Sequence, residues 1–222
     1  MEIQNVCFNY GKNIILKDIT YTFEQGKVYG IVGHNGAGKT TLLRIMLGLI
    51  TPLSGSVKKE TGMVCSYVPE RQGVYAELTV YQNLFMACRL FRKKKPYEIE
   101  EMLKKWHLQN KKNELARNLS TGMLARLKYL CANVQDSNML LCDEPTMGVD
   151  ARTQKLMEDE IKSRRDEGKT VIITSHNLKF IEAVCDEVLV INEHKIVFAG
   201  KMENIFDFEE LYLEYTEEEE DD

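Results

Sequence analysis

No stretch of this sequence approaches the roughly 18 uninterrupted apolar residues that a membrane-crossing helix needs, although 44% of its 222 residues are hydrophobic. The opening residues, MEIQNVCFNYGK, lack the basic-then-apolar plan of a secretory leader. A cytoplasmic protein that does not cross a membrane by itself is therefore expected. The six cysteines (Cys7, Cys65, Cys88, Cys131, Cys142 and Cys185) contain no C-x-x-C pair, and no histidines are paired. This argues against a zinc centre or a dithiol couple and for buried, reduced thiols. Internal repeats and low-complexity linkers are missing too, with one exception. Residues 214–222, EYTEEEEDD, carry seven carboxylates, and without them the formal charge moves from −5 to +2. Such a block repels itself and has little to bury, so it is expected to be a disordered tail after one folded unit, 1–213.

What is present alternates short apolar runs with longer amphipathic ones, which predicts an α/β unit with a mainly parallel sheet. GKVYGIVG (26–33), NMLLCDE (138–144), KTVIITS (169–175) and EVLVIN (187–192) have the composition of buried strands. The N-terminal segment before Gly26 differs, and predicts antiparallel strands with turns at Gly11 and Gly26. From about 79 to 135 the pattern becomes helical, with Pro96 opening one helix. Between Arg89 and Arg117 this zone carries ten Lys or Arg against four Asp or Glu. It is either a solvated helical face or a surface for anionic headgroups.

The segment GHNGAGKT (33–40) fits G-x-x-x-x-G-K-[ST], the Walker A phosphate loop, between an apolar strand and the helical pattern KTTLLRIMLGL. Gly33, Gly36 and Gly38 let the backbone through His34, Asn35 and Ala37 curl so that its N–H groups converge on phosphate oxygens at a helix N-terminus. Lys39 supplies charge for the β- and γ-phosphates and Thr40 a hydroxyl for Mg²⁺, with Thr41 beside it. A second segment, MLLCDEP (139–145), delivers Asp143 and Glu144 at a strand's C-terminal end. Asp143 suits Mg²⁺, directly or through water. Glu144, the next residue, suits deprotonation of an attacking water.

A third segment, NLSTGMLARLKYL (118–130), resembles the L-S-G-G-Q signature of the ATP-binding-cassette (ABC) family. Ser120 would also cap a helix. The interval from Leu127 to Asp143 is similar to the family's spacing. Two further segments agree. TMGVD (146–150) looks like the family's D-loop, with Asp150 at its acidic position. His176, in ITSHN after an apolar strand, stands at the distance from Glu144 where the family has its switch histidine. The resemblance covers residues 2 to 206.

That resemblance implies a P-loop cassette with an N-terminal antiparallel β subdomain and a helical subdomain, binding ATP with Mg²⁺. It implies that Tyr10 stacks on adenine, the alternative being a strand tyrosine packed in the core. It places Glu70 where the family has a glutamine, touching Mg²⁺ through water. Ser120, Thr121 and Gly122 are implied to reach the ATP of a second cassette. Thr121 and Met123 replace a Gly and a Gln there, which would slow catalysis. P-E-x-x-G-x-Y, matched by Pro69–Tyr75, resembles cassettes of bacterial exporters and points toward export.

The function implied is an ATPase that powers a transporter whose permease subunits are separate chains. The cassette would sit at the cytoplasmic face of the membrane, with a second cassette and no nucleic acid as partners. A cytosolic cassette acting on ribosome or DNA is the alternative. The interval between Lys39 and Ser120 is short for the inserted coiled coil of a DNA-repair type, and it shows no sustained heptads. A small-molecule kinase would leave the signature and His176 without a role.

Overall fold

The computed structural model describes residues 1–91 and 96–216. Part of the basic run (92–95) and most of the acidic tail (217–222) lie outside the described residues. Glu2–Tyr10 (β1) and Asn13–Thr22 (β2) pair antiparallel around Gly11, whose φ of 60° suits a turn. Val28–Val32 (β3) enters a second sheet, loop 33–38 leads into Lys39–Leu47 (α1), and Ser54–Lys58 (β4) returns to pair with β1. The antiparallel sheet is therefore β2-β1-β4. It is the predicted N-terminal subdomain, enlarged by β4.

The second sheet adds Cys65–Val68 (β5), Met139–Asp143 (β6), Thr170–Thr174 (β7), Glu187–Asn192 (β8) and Lys195–Lys201 (β9). Its order is β5-β6-β7-β3-β8-β9, parallel except for β9. Every residue of β3, β6 and β7 is buried, as a parallel sheet covered on both faces requires. Alternate residues serve two cores. Tyr29, Ile31, Leu141 and Ile172 pack with β1, β2 and α1. Val28, Val32, Leu140 and Val171 pack against helices on the other face.

Those helices include Val80–Leu90 (α2), Pro96–Lys105 (α3) and Thr121–Asn133 (α4), the predicted helical subdomain. A reciprocal capping box between Thr79 and Gln82 starts α2. Ala151–Asp166 (α5), Leu178–Val184 (α6) and Phe208–Thr216 (α7) complete the layer. No helix among the described residues is long and apolar enough to cross a membrane.

Two expectations need correction. Cys88, Cys142 and Cys185 are buried, but Cys7, Cys65 and Cys131 are half-buried, and none of the six forms a disulfide within the described residues. The tail does not begin at 214, because α7 runs through Thr216. Asp207 accepts from the Glu210 amide at 2.9 Å near the start of that helix. Near its end the Tyr215 carbonyl accepts from Asn192 at 2.9 Å and the Tyr215 ring meets Phe198 at 5.4 Å. These contacts offset the repulsion expected from the acids.

The sole tryptophan, Trp106, lies just past α3 and stacks on Tyr129 of α4, with centroids 4.7 Å apart. Arg126 of α4 donates to the Trp106 carbonyl at 3.1 Å. The indole thus joins two helices of the subdomain. Trp106→Ala should destabilise the protein by about 3–5 kcal/mol, read from urea unfolding by circular dichroism. A loss below about 1 kcal/mol, within the range of ordinary surface substitutions, would mean that the indole is not part of the core.

Candidate functional site

The C-terminal ends of β3, β7 and β6, three neighbouring strands, open on one cleft of ≈ 730 Å³. In open α/β sheets ligands bind at this edge. Asn35, Gly36, Gly38, Lys39, Thr40 and Thr41 line the cleft from the loop and α1. Glu70, Glu144 and His176 line it from the facing segments. The loop and the last two of these are far apart in sequence, yet they share one opening.

Loop 33–38 is shaped by sterics. A Cβ at Gly33 would stand 2.3 Å from the Ile191 carbonyl oxygen, so only glycine passes there. Gly38 has φ 100° and a Cβ would meet the Ile15 carbonyl at 2.8 Å. As N-cap of α1 it provides no side chain to close the first turn, which leaves backbone N–H groups for an anion. Ala37 is buried, and His34 and Asn35 are exposed. The His34 ring donates from Nδ1 to the Asn35 carbonyl at 2.8 Å. Lys39 Nζ donates to the carbonyls of Gly33 (2.7 Å) and His34 (3.1 Å) and lies 3.9 Å from Glu144 Oε1. Burial holds its ammonium below the usual lysine range, while Glu144, Asp143 and Glu70 push in the opposite direction.

Asp143 is 2% exposed. Its Oδ1 accepts from the hydroxyls of Thr40 (3.0 Å) and Thr174 (2.7 Å), and its Oδ2 from Tyr67 (3.1 Å). Burial and the adjacent Asp143 carboxylate push the Tyr67 phenol well above the usual tyrosine range, so it remains a donor. A hydroxyl and a carboxylate held 3.0 Å apart form a hard oxygen pair, which suits Mg²⁺ carried by phosphates.

Glu144 leaves β6 with φ 47°, a left-handed conformation unusual for a side chain of this size. Its amide donates to the Thr174 carbonyl at 3.0 Å and to the Thr174 hydroxyl at 3.2 Å, which hold it there. The turn aims the carboxylate into the cleft, where Oε2 accepts from His176 Nδ1–H at 2.9 Å and from the His176 amide at 3.3 Å. Glu144 thus stands between the Lys39 ammonium and the His176 ring. A carboxylate so held can take a proton from a water aligned on the cleft.

Tyr10, the signature residues and Asp150 lie apart from the cleft lining. Tyr10 ends β1 about half exposed, its ring edge-on to Phe8 at 4.9 Å, and is not among the residues lining the cleft. Ser120 caps α4 by accepting from the Met123 amide at 3.3 Å. Asp150 caps α5 by accepting from the Thr153 amide at 2.7 Å, which holds its carboxyl below the usual range. A Cβ on Gly122 would approach both Asp150 Oδ2 and Thr153 Oγ1 to 3.0 Å, so the signature segment and the start of α5 are packed together. Ser120, Thr121 and Asp150 are exposed there. Glu70 has Arg71 3.4 Å from its carboxylate, and its carbonyl accepts from Lys128 of α4 at 2.6 Å. The added negative charge therefore has cations beside it. Sequence reasoning missed Tyr67, Thr174, Ile15 and Lys128. Only their tertiary placement brings them here.

A family model described as ABC transporter matches residues 16–147. A zinc import ATP-binding protein of Buchnera aphidicola is 35% identical over 206 residues, covering 92% of this chain and 85% of the relative. A Nod factor export ATP-binding protein of Cupriavidus pinatubonensis is 30% identical over 220 residues, covering 93% and 68%. Among solved structures, an ATP binding subunit of an ABC transporter superposes with a TM-score of 0.87 at 22% identity, covering 97% of this chain and 99% of that one.

Because the fold depresses Lys39, its charged form costs stability at neutral pH, and that cost fades only as pH rises through the depressed folded value. Lys39→Met should therefore leave the nucleotide-free protein at least as heat-stable as wild type, while abolishing stabilisation by ATP. Thermal unfolding with and without ATP measures both. A mutant that melts earlier without nucleotide would make Lys39 a structural residue.

Proposed function

The chain belongs to the ABC transporter family as an ATP-binding, ATP-hydrolysing subunit, and from that premise we propose how its residues divide the work. The carrying observation is the convergence of Lys39, Thr40, Glu144 and His176 on one cleft from three adjacent strand ends, with Asp143 bonded to Thr40 behind it. The amides of 33–41 and the Lys39 ammonium bind the triphosphate. Thr40 and Asp143 would hold Mg²⁺, which would offset phosphate charge when bound, and Glu70 would meet it through water. Glu144 is the general base. His176, bonded to its Oε2, fixes the carboxylate and faces the γ-phosphate.

Tyr10 stacks on the adenine, a role supported by its half-exposed ring at the end of β1. Ser120, Thr121 and Gly122 serve a second cassette's ATP, with Asp150 packed behind them. The exposure of Ser120 and Thr121 supports this, as does the segment's standing outside the residues that line the chain's own ATP cleft. Closure of two cassettes drives permease subunits on separate chains, at the cytoplasmic face of the membrane. We assign export on the Pro69–Tyr75 resemblance, since the relatives' names include both directions.

Two variants test this. Glu144→Gln keeps shape and an accepting oxygen but takes up no proton, so hydrolysis should fall about 10²–10⁴-fold. With hydrolysis stopped and one negative charge removed, the variant should run as a dimer on sizing with ATP and not with ADP. Wild-type turnover would place the base elsewhere, and an inactive monomer would remove autonomous closure. Base–aromatic stacking is worth about 1–3 kcal/mol, so Tyr10→Ala should weaken ATP binding about 5- to 150-fold while Tyr10→Phe retains it. Equal affinity in calorimetry for all three proteins would return Tyr10 to a packing role.

A further inference from the structure

Tyr67 has no part in the functions assigned so far, yet its hydroxyl touches the most deeply held carboxylate of the site. It sits in β5, whose parallel register with β6 sets Tyr67 opposite Leu141 and Val68 opposite Cys142. That register brings the phenol to the last residue of β6, where it donates to Asp143 Oδ2 at 3.1 Å. Just beyond β5 the chain turns at Pro69 into the segment carrying Glu70.

A carboxylate offers about four in-plane acceptor positions, two on each oxygen. On Asp143 the Oδ1 positions are taken, by Thr40 at 3.0 Å and Thr174 at 2.7 Å. On Oδ2 Tyr67 takes one position and leaves one. The Thr40 hydroxyl donates its hydrogen to Asp143, so an oxygen lone pair of Thr40 remains for a cation. The two threonines hold one oxygen only, and a carboxylate held by one oxygen still tilts about its Cβ–Cγ bond. The phenol pins the other.

We propose that Tyr67 is a positioning residue for the divalent cation, orienting Asp143 so that the free acceptor position on Oδ2 meets the cation or its water. This rests on the assignment of the cleft to ATP. Partners that orient metal-binding carboxylates affect metal affinity by about 10- to 100-fold when removed. Tyr67 acts on the cation and not on adenine or phosphate, so its removal spares metal-free nucleotide binding. A tyrosine that only fills space between β5 and α1 would affect both equally or neither.

Tyr67→Phe keeps the ring and removes only the hydroxyl. The full chain and this variant are titrated with Mn²⁺ in the presence of the β,γ-imido analogue of ATP, bound metal being read by electron paramagnetic resonance. Calorimetry with ATP in EDTA measures the nucleotide alone. The proposal expects a Mn²⁺ Kd raised about 10- to 100-fold, with metal-free ATP affinity unchanged. An unchanged Mn²⁺ Kd would overturn it, as would an equal loss in both titrations. Thr174→Val, which leaves the Tyr67 bond in place, should weaken Mn²⁺ similarly. Wild-type protein that binds nucleotide in neither arm would overturn the ATP assignment itself, and this inference with it.

Discussion

An ionised carboxylate buried without partners costs on the order of several kcal/mol, and Asp143 is almost wholly enclosed. The fold meets that constraint with three hydroxyls from three elements: Thr40 of α1, Thr174 of β7 and Tyr67 of β5. Each can donate only if its element sits in one register beside β6. The strand order β5-β6-β7-β3 follows the same logic, since it sets β5 and β7 on either side of β6 and brings α1 off β3 over its end. Losing one donor leaves a buried carboxylate short of a partner. The carboxylate is therefore a site residue and a condition on the architecture.

The same edge of the sheet carries strain and unfavourable burial. Glu144 adopts a left-handed backbone conformation that costs of order 1–3 kcal/mol unless its surroundings enforce it, and the Thr174 carbonyl and hydroxyl enforce it. Lys39 holds its charge where burial opposes it. Both features place a charged side chain at the cleft, and bonds to neighbouring residues hold each there. A glutamate that followed β6 straight on would be unstrained and would point away from the cleft. A fully solvated lysine would be cheaper to keep charged, but would meet phosphate through water.

Much of this was legible because the signals are local. Gly33–Thr41 announces itself by glycine spacing between a strand and a helix, and Gly33 and Gly38 stand where carbonyls of Ile191 and Ile15 leave no room for a Cβ. β3, β6, β7 and β8 are visible because parallel burial makes them continuous apolar runs. β4 and β5 were not, being short and mostly half-buried or exposed, and β9 alternates at the sheet edge. Tyr67 and Thr174 carry no motif: nothing in SYV or VIITS says that a hydroxyl will reach Asp143. Glu144 was identified by its place after Asp143, but its backbone flip comes from bonds to β7, a strand that only the tertiary fold sets beside it. The tail starts later than its charge suggests, because Tyr215 pairs with Phe198 and Asn192, contacts that no local pattern announces.

One asymmetry remains in the geometry. The cleft gathers groups able to bind phosphate and to abstract a proton, yet the signature segment lies beside α5, with Gly122 pressed on Asp150 and Thr153. Ser120 and Asp150 spend their side-chain oxygens capping their own helices. Both caps use one acceptor position and leave the exposed side of each oxygen available. A segment stiffened by two caps and a glycine contact loses little conformational freedom on meeting a partner, so less of the contact energy goes into ordering it. The receiving cleft is similarly rigid, its loop wedged between β2 and β8. In the proposed two-cassette assembly, a triphosphate bridging two such preformed surfaces would act as a switch and not as a gradual adjustment, because its contacts to both would form together.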